Sequence, residues 1–384
     1  MDSIMQEQSR VVVGGVDAHA DAHHAAVLDE RGVLWGSSAF PATSAGYREL
    51  LGWLESFGMV AAVAVESTSS YAAGLTRYLC ERGVRVVEVN QPHAYTRRRR
   101  GKSDPIDAEM AARRFLSGEA IGLPKQTDGV VESIRMLRVA RNGAVKARTA
   151  ALLQARDLIR TALQDLREQL TVRKTLRAQL NLCGRLRPTS KLGCPTQAAK
   201  FALRTIARRV SDLEREIAGL DGQLAVLVKR TAPRTTSLLG VSTHNGGQLL
   251  VTAGQNIDRL TKESSFAALC AASPIKASSG KTHRHRCNPG GDRQGNRALH
   301  LIAVYRLKCC PRTQAYAHRR TQQGKSKAEI IRCLKRAIAR EVYHALRADL
   351  ADLTTPTPPP PKPPRYSTTI HCGNPGHGIT RHRT

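Results

Sequence analysis

The sequence predicts a mixed α/β domain at its N-terminal end, followed by long helices and a mostly helical C-terminal region. Three observations carry that expectation. Short apolar runs, VVVGGV and VAAVAV, are each followed directly by a carboxylate. A later stretch rich in Ala, Arg and Leu has almost no turn signal, and beyond it apolar residues recur at spacings of three and four without a break.

Residues 11–16 read as a buried strand; Ala25 to Leu28, the DERG turn and Val33 to Trp35 read as a hairpin after it. Thr43 or Ser44 then caps a helix with Tyr47, Leu50, Leu51 and Leu54 on one face. A strand over Val60 to Val65, a helix over Tyr71 to Arg82 and a strand over Val84 to Val89 complete the set. The order strand, hairpin, helix, strand, helix, strand predicts a mixed sheet of the ribonuclease H-like kind rather than a sandwich.

From about Val131 to Leu170 one long helix is expected, then a looser stretch holding Gly184, Pro188, Gly193 and Pro195. A second long helix carries Leu203, Ile206, Val210, Leu213, Ile217, Leu220, Leu224 and Leu227, the seam of a coiled coil. At ~1.5 Å per residue it spans roughly 40 Å. The middle region is therefore a spacer and pairing surface, either a hairpin folded on itself or a contact between protomers.

A further compact region opens at TSLLGVSTHNGGQLLVTAG. It holds a helix from about Arg297 to Leu307 and another opened by the capping box Ser326 to Glu329, with Ile330, Leu334, Ile338, Val342 and Leu346 on one face. The segment TTPTPPPPKPPRY is proline-rich and cannot pack. The expected division is an α/β domain over 10–125, a helical coiled-coil region over 130–232, a second domain over 236–350 and a disordered tail over 353–384.

With 60 Lys+Arg against 31 Asp+Glu, a formal net charge of +29 makes nucleic acid the leading partner, because cations placed at phosphates release condensed counterions. A hydrophobic fraction of 41% over 384 residues supplies cores and argues against a disordered chain. No apolar run approaches the roughly 20 residues that span a bilayer, so no membrane partner is expected. Nine scattered cysteines and an N-terminus without a signal-peptide apolar region point to the cytoplasm with reduced thiols. In KTHRHRC, His283, His285 and Cys287 invite a zinc reading. A second ligand pair is missing, so a basic loop against phosphate is the better reading.

In so basic a chain, acidic residues weaken polyanion binding unless they have a task. Asp17 and Glu66 each lie just past the carboxyl end of an expected strand, and parallel neighbours bring such ends together. Asp104 and Asp107, in GKSDPIDAEM, share one face at a helix start. Four such carboxylates can share two Mg²⁺ (or Mn²⁺) ions for phosphoryl transfer. Taken singly, each has a structural reading: Asp104 before Pro105 as a helix cap, Asp107 as part of a capping pair, Asp17 as a turn cap, Glu66 as an ion-pair partner. Their joint presence in one basic domain favours the metal. Arg97, Arg98, Arg99, Arg100 and Lys102 precede the aspartate pair and can grip a phosphate backbone leading to it. A second stripe, Arg138, Arg141, Arg148 and Arg156, either follows an RNA or DNA backbone or is a solvated face.

At these residues the chain resembles the IS110 family of insertion-sequence transposases, also called bridge-RNA-guided recombinases. The segments GGVDAHADAHHAAVLDERG, AVESTSSYAAGL and VVEVNQPHAYTRRRRGKSDPIDAEMAARRFLSG carry the resemblance, which covers roughly residues 11 to 350. It implies a RuvC-like DEDD domain with Asp17, Glu66, Asp104 and Asp107 as the metal-binding acids, and a second transposase domain bearing a nucleophilic serine. In SFAALCAASPIKASSGKT that serine matches Ser279 before Gly280, with Ser278 one residue off as the fallback. Two departures stand out: a helix-hairpin-helix-like turn usually containing PGIG reads GVSTHNGG, and the stretch before the serine, usually with GL and a proline among arginines, reads CAASPIKA.

The resemblance implies a DNA transposase that cuts and rejoins DNA, guided by a structured RNA, through a covalent phosphoserine intermediate. Because Ser279 lies beyond two long helices from Asp107, a serine of one protomer completes the acidic site of another in a dimer to tetramer. Two alternatives remain at this level: a metal-dependent junction nuclease that uses water, and a non-catalytic nucleic-acid scaffold.

Overall fold

The computed structural model describes residues 10–354, apart from 67, 69, 90–102, 121, 281–284 and 287. Five strands, β1 (Val11–Ala18), β2 (Ala22–Asp29), β3 (Leu34–Pro41), β4 (Met59–Glu66) and β5 (Val86–Val89), form one sheet in the order β3-β2-β1-β4-β5. The first three strands run as an antiparallel meander, while β4 and β5 lie parallel to β1 and to each other. The hairpin is longer than its sequence reading, because β2 begins at Ala22 and β3 continues to Pro41.

Helices α1 (Ser44–Glu55) and α2 (Ala73–Glu81) cover one face of the sheet, where Leu50, Leu54, Leu75 and Leu79 pack on Val12, Val16, Val63 and Val65. Thr43 is the cap of α1 and accepts a hydrogen bond from Gly46 N. Helix α3 (Asp104–Leu116) covers the opposite face through Ala108, Ala111 and Ala112. Its close approach depends on Gly15, since a Cβ there would collide with the Ala108 carbonyl and the Ala112 backbone. Small residues on both sides set α3 down on β1.

The two long helices are α4 (Val130–Thr161) and α7 (Pro195–Thr231), the second of 37 residues and about 55 Å long. They pack antiparallel within the chain: Val131 and Ile134 meet Leu224 and Val228 at one end, and Ala151, Ala155 and Ile159 meet Leu203, Ile206 and Val210 at the other. The pairing surface is thus a hairpin folded on itself. The helix expected to reach Leu170 stops at Thr161, and α5 (Gln164–Thr171) follows as a separate helix. No Gly or Pro marks that break in the sequence. It places Leu166 and Leu170 in a cluster with Leu203 and with Leu180 and Cys183 of α6 (Leu176–Gly184), so tertiary burial overrides local propensity.

The C-terminal region comprises α8 (Pro233–Ser237), α9 (Thr243–Ala253), α10 (Glu263–Leu269), the two-residue strands β6 (Ile275–Lys276) and β7 (His285–Arg286), then α11 (Arg293–Cys309), α12 (Pro311–Gln322) and α13 (Lys327–Thr354). The GVSTHNGG stretch, expected as a turn, is mostly helical. Ser242 caps α9 by accepting from Asn245 N, and Gly246 and Gly247 lie inside the helix, where a Cβ at Gly247 would stand 3.0 Å from Val228. These glycines permit close helix packing rather than a reversal. The capping box of α13 forms as expected: Ser326 N donates to Glu329 Oε2 at 2.9 Å, and Ile330, Leu334, Ile338, Val342 and Leu346 are all buried. No helix among the described residues is long and apolar enough to cross a membrane. The proline-rich run falls in 355–384, outside the described residues.

Candidate active site

Asp17 and Glu66 stand at the carboxyl ends of β1 and β4, on the α3 face, and Asp104 meets Asp17 around His19, whereas Glu66 and Asp107 lie outside that cluster of ligand atoms. Val16 and Val65 are Cα partners in the parallel ladder, so the residues that follow, Asp17 and Glu66, stand side by side. Side chains alternate along a strand. Asp17 therefore shares its face with Gly15, which touches α3, and Glu66 shares its face with Ala62 and Ala64, which pack with Ala111. Both carboxylates are buried residues of the sheet.

From the other side α3 delivers Asp104 and Asp107. Ser103, not Asp104, occupies the cap position, and Pro105 lies in the first turn as the sequence requires. Asp104 is instead turned toward His19 and His24, whose Nε2 atoms lie 3.3 and 3.5 Å from its oxygens. Asp107, one turn on, is buried. The N-terminal end of a helix favours negative charge, so α3 carries both aspartates where its own dipole supports them.

His19 Nε2 also lies 3.2 Å from Asp17 Oδ2, and one ligand atom each from Asp17, His19 and Asp104 fall within 4.8 Å of one another. Burial pushes the Asp17 carboxyl above its ordinary value, His19 opposes this, and the nearby carboxylates of Asp107 and Asp104 add to the rise. Crowded carboxylates of this kind gain from positive charge placed between them, whether an imidazolium or a hard divalent cation with oxygen ligands. Two carboxylates and an imidazole so placed fit a divalent cation. An open cavity of about 370 Å³ lies in front, lined by His19, His24, Asp104 and the exposed ring of Tyr71.

Sequence reasoning missed His19 and His24. The signal was present in AHADAHH, but a hairpin begun at Ala25 leaves His24 off the strand. The observed register sets His24 directly opposite Asp17. His23, its neighbour, points the other way and stacks on Tyr47 with ring centroids 5.6 Å apart.

The remaining expected residues divide. Arg97, Arg98, Arg99, Arg100 and Lys102 lie outside the described residues, as do His283 and Cys287. Arg138 is buried and faces inward, donating to His244 O at 2.8 Å and to Gln248 Oε1 at 2.7 Å. Arg141 forms an ion pair with Asp221 of α7. These two guanidinium groups bind α4 to its neighbours rather than standing on a solvated face. Their charges, after burial itself, push the His244 imidazole down to about 4. Arg148 is half-buried and Arg156 is exposed beside Asp157. Ser278 and Ser279 are both exposed in the loop after β6, and Gly280 follows with φ 55°, a left-handed conformation suited to glycine. Among the described residues, Ser279 forms no hydrogen bond to any of the four carboxylates.

Comparison with known families agrees with this arrangement at both ends of the chain. A DEDD-type family model described as "Transposase" matches residues 14–163, which include Asp17, Glu66, Asp104 and Asp107. A second, described as "Transposase IS116/IS110/IS902 family", matches residues 232–318, which include Ser279. The chain belongs to the IS110 family of transposases. Membership in the IS110 family makes DNA the substrate and its cleavage and rejoining the general activity, with divalent metal use attached to the DEDD domain. No curated protein matches the sequence.

Proposed function

We propose that this transposase moves its element by a serine-linked reaction in which Asp17, Glu66, Asp104 and Asp107 hold Mg²⁺ or Mn²⁺ beside the scissile phosphate and Ser279 is the nucleophile. The observation that carries this reading is the meeting of Asp17 and Asp104, from a strand end and a helix start 87 positions apart in sequence, around His19. The strand order β3-β2-β1-β4-β5 supports a ribonuclease H-like, RuvC-like assignment of the domain over 10–125, and the α4–α7 pair supports a coiled-coil region over 130–232. The serine-bearing domain then spans 236–350, ahead of the 353–384 tail.

A bound divalent cation supplies charge neutralisation at the phosphate. Asp17 and Glu66 are fixed by the sheet and Asp104 and Asp107 by α3, so the acidic set is held rigid before substrate arrives. His19 orients Asp17 and Asp104 by contacting both. Ser279 Oγ bonds to phosphorus as the bond to the leaving sugar oxygen breaks, and the hydroxyl proton ends on the released sugar hydroxyl. One phosphoester replaces another, so rejoining needs no nucleotide hydrolysis. The exposure of Ser279 suits a nucleophile delivered to an acidic site of a second protomer, in a dimer to tetramer on DNA. The exposed Arg156 and half-buried Arg148 are available to a nucleic-acid backbone, including that of a guide RNA read by base pairing, and the reaction takes place in the cytoplasm.

Denaturing gels of the protein reacted with labelled element-end DNA test the reading. A covalent adduct is expected with the native chain and absent in Ser279→Ala. An adduct or full strand exchange retained in Ser279→Ala, with Ser278→Ala also active, overturns the serine and leaves a water-dependent nuclease.

A further inference from the structure

The hairpin that carries Ser279 stands over a basic cleft that the acidic chemistry does not use. Its volume is about 460 Å³, in the range of small-ligand sites. The walls are the base of the hairpin, Ser273 and Pro274 before it and His285 and Arg286 after it, together with the end of α12 and the first turns of α13. Six of the lining side chains are cationic: Arg286, Arg320, Lys325, Arg332, Lys335 and Arg336. Concentrating like charge in a concave site is unfavourable to folding unless an anion offsets it, and the concavity focuses the field on whatever enters.

Some of that charge is spent on the fold. Lys335 donates to Asn296 Oδ1 at 2.9 Å and Arg336 pairs with Glu263 at 2.9 Å, so these two hold the floor. Arg320 donates to Gln323 Oε1 at 2.8 Å. The acidic lining residue, Glu329, is turned into the capping box with Ser326. Among the described residues, Arg286, Lys325 and Arg332 line the cleft without a salt bridge or side-chain hydrogen bond of their own, although, after the Ser326 hydrogen bonds, the charges of Lys325 and Arg332 also help hold the Glu329 carboxyl below its ordinary value.

We propose that this cleft binds the phosphodiester backbone of the DNA strand presented to Ser279. The proposal rests on the reading of Ser279 as the nucleophile, and it adds the residues that bring the strand to it. Pro274 and Ser279 are five residues apart, so the serine sits within about 17 Å of the cleft wall even on a fully extended chain. A phosphate held at the Pro274 wall of the cleft is thereby within about five nucleotides of the hydroxyl, at ~3.4 Å per phosphate along one strand. Contacts to phosphate alone give register without sequence readout, which suits a protein whose sequence choice is made elsewhere.

Fluorescence anisotropy on the full chain, with a labelled single-stranded DNA and the matching RNA across a salt series, tests this. For the Arg286→Gln, Arg332→Gln double variant, DNA affinity falls at least tenfold, and the slope of log affinity against log salt drops by about 1.4, at ~0.7 per phosphate contact. Lys325→Gln gives a smaller loss in the same direction, and lysine at 286 and 332 restores most of the binding. An unchanged thermal midpoint identifies the loss as one of contact. Native DNA affinity and slope in the double variant overturn the proposal, as does a loss confined to RNA. The two readings fail separately: native DNA affinity in the double variant removes the cleft, and an adduct persisting in Ser279→Ala removes the nucleophile.

Discussion

The acidic site and the serine loop are built in opposite ways. Asp17 and Glu66 end two adjacent parallel strands, and α3 is seated against those strands by Gly15, so every carboxylate inherits its position from packed backbone. Ser279 sits on an exposed loop between strands of two residues each, followed by a left-handed glycine. In the proposed reaction one half of the chemistry is preorganised by the core, and the other is carried on a loop that the core does not hold.

The sharpest way to break the contrast is to remove an acid. Asp104→Ala is expected to cut strand cleavage by about 10³-fold or more, equivalent to ~4 kcal/mol of transition-state stabilisation, with no loss of thermal stability, because one carboxylate leaves a crowded group. Cleavage gels and a melting curve report both, and retained cleavage would remove Asp104 from the chemistry.

Gly15→Ala is expected to cost ~2–3 kcal/mol, since its methyl group meets the Ala108 carbonyl and α3 must lift. Cleavage falls with it although all four acids are present. Gly52→Ala, in α1 with nothing within 4 Å, is the matched control and is expected to be neutral or slightly stabilising in the same denaturant titration. Equal stability of the two variants would mean that the glycine does not seat α3.

Smaller again is the effect expected inside the helical hairpin. Arg138→Ala leaves the His244 carbonyl and Gln248 without their partner in a buried setting, at ~2 kcal/mol, yet leaves nucleic-acid affinity unchanged. The exposed Arg156→Ala should alter stability by less than ~0.5 kcal/mol. A loss of DNA binding in Arg138→Ala without a shift in melting would restore the arginine stripe.

Much of the α/β domain was legible because its signals are local: apolar strands with a carboxylate at each end, a capped helix, and an Asp-Pro start to α3. The alternating seam of α7 likewise announced a long helix, although the helix begins eight residues before the seam and reaches about 55 Å rather than ~40 Å. What escaped depended on partners distant in sequence. His24 is a ligand-side residue only through its register against Asp17, and the inward turn of Arg138 is set by α9 some hundred positions on. Gly246 and Gly247 have the composition of a turn but lie inside α9, where a Cβ at Gly247 would press on Val228. The break after Thr161 has no sequence marker at all. Ser279 was reached only through family resemblance, since an exposed loop serine carries no pattern of its own.

In the proposed function, four carboxylates from two strands and one helix converge on shared divalent cations. Electron paramagnetic resonance titration of Mn²⁺ into the full chain and into Glu66→Ala tests it most directly, because Glu66 is the acid least expected to bind Mn²⁺ if the strand ends do not converge. The account predicts saturable binding to the native chain that is weakened at least tenfold in Glu66→Ala. Identical titrations of the two proteins would contradict it.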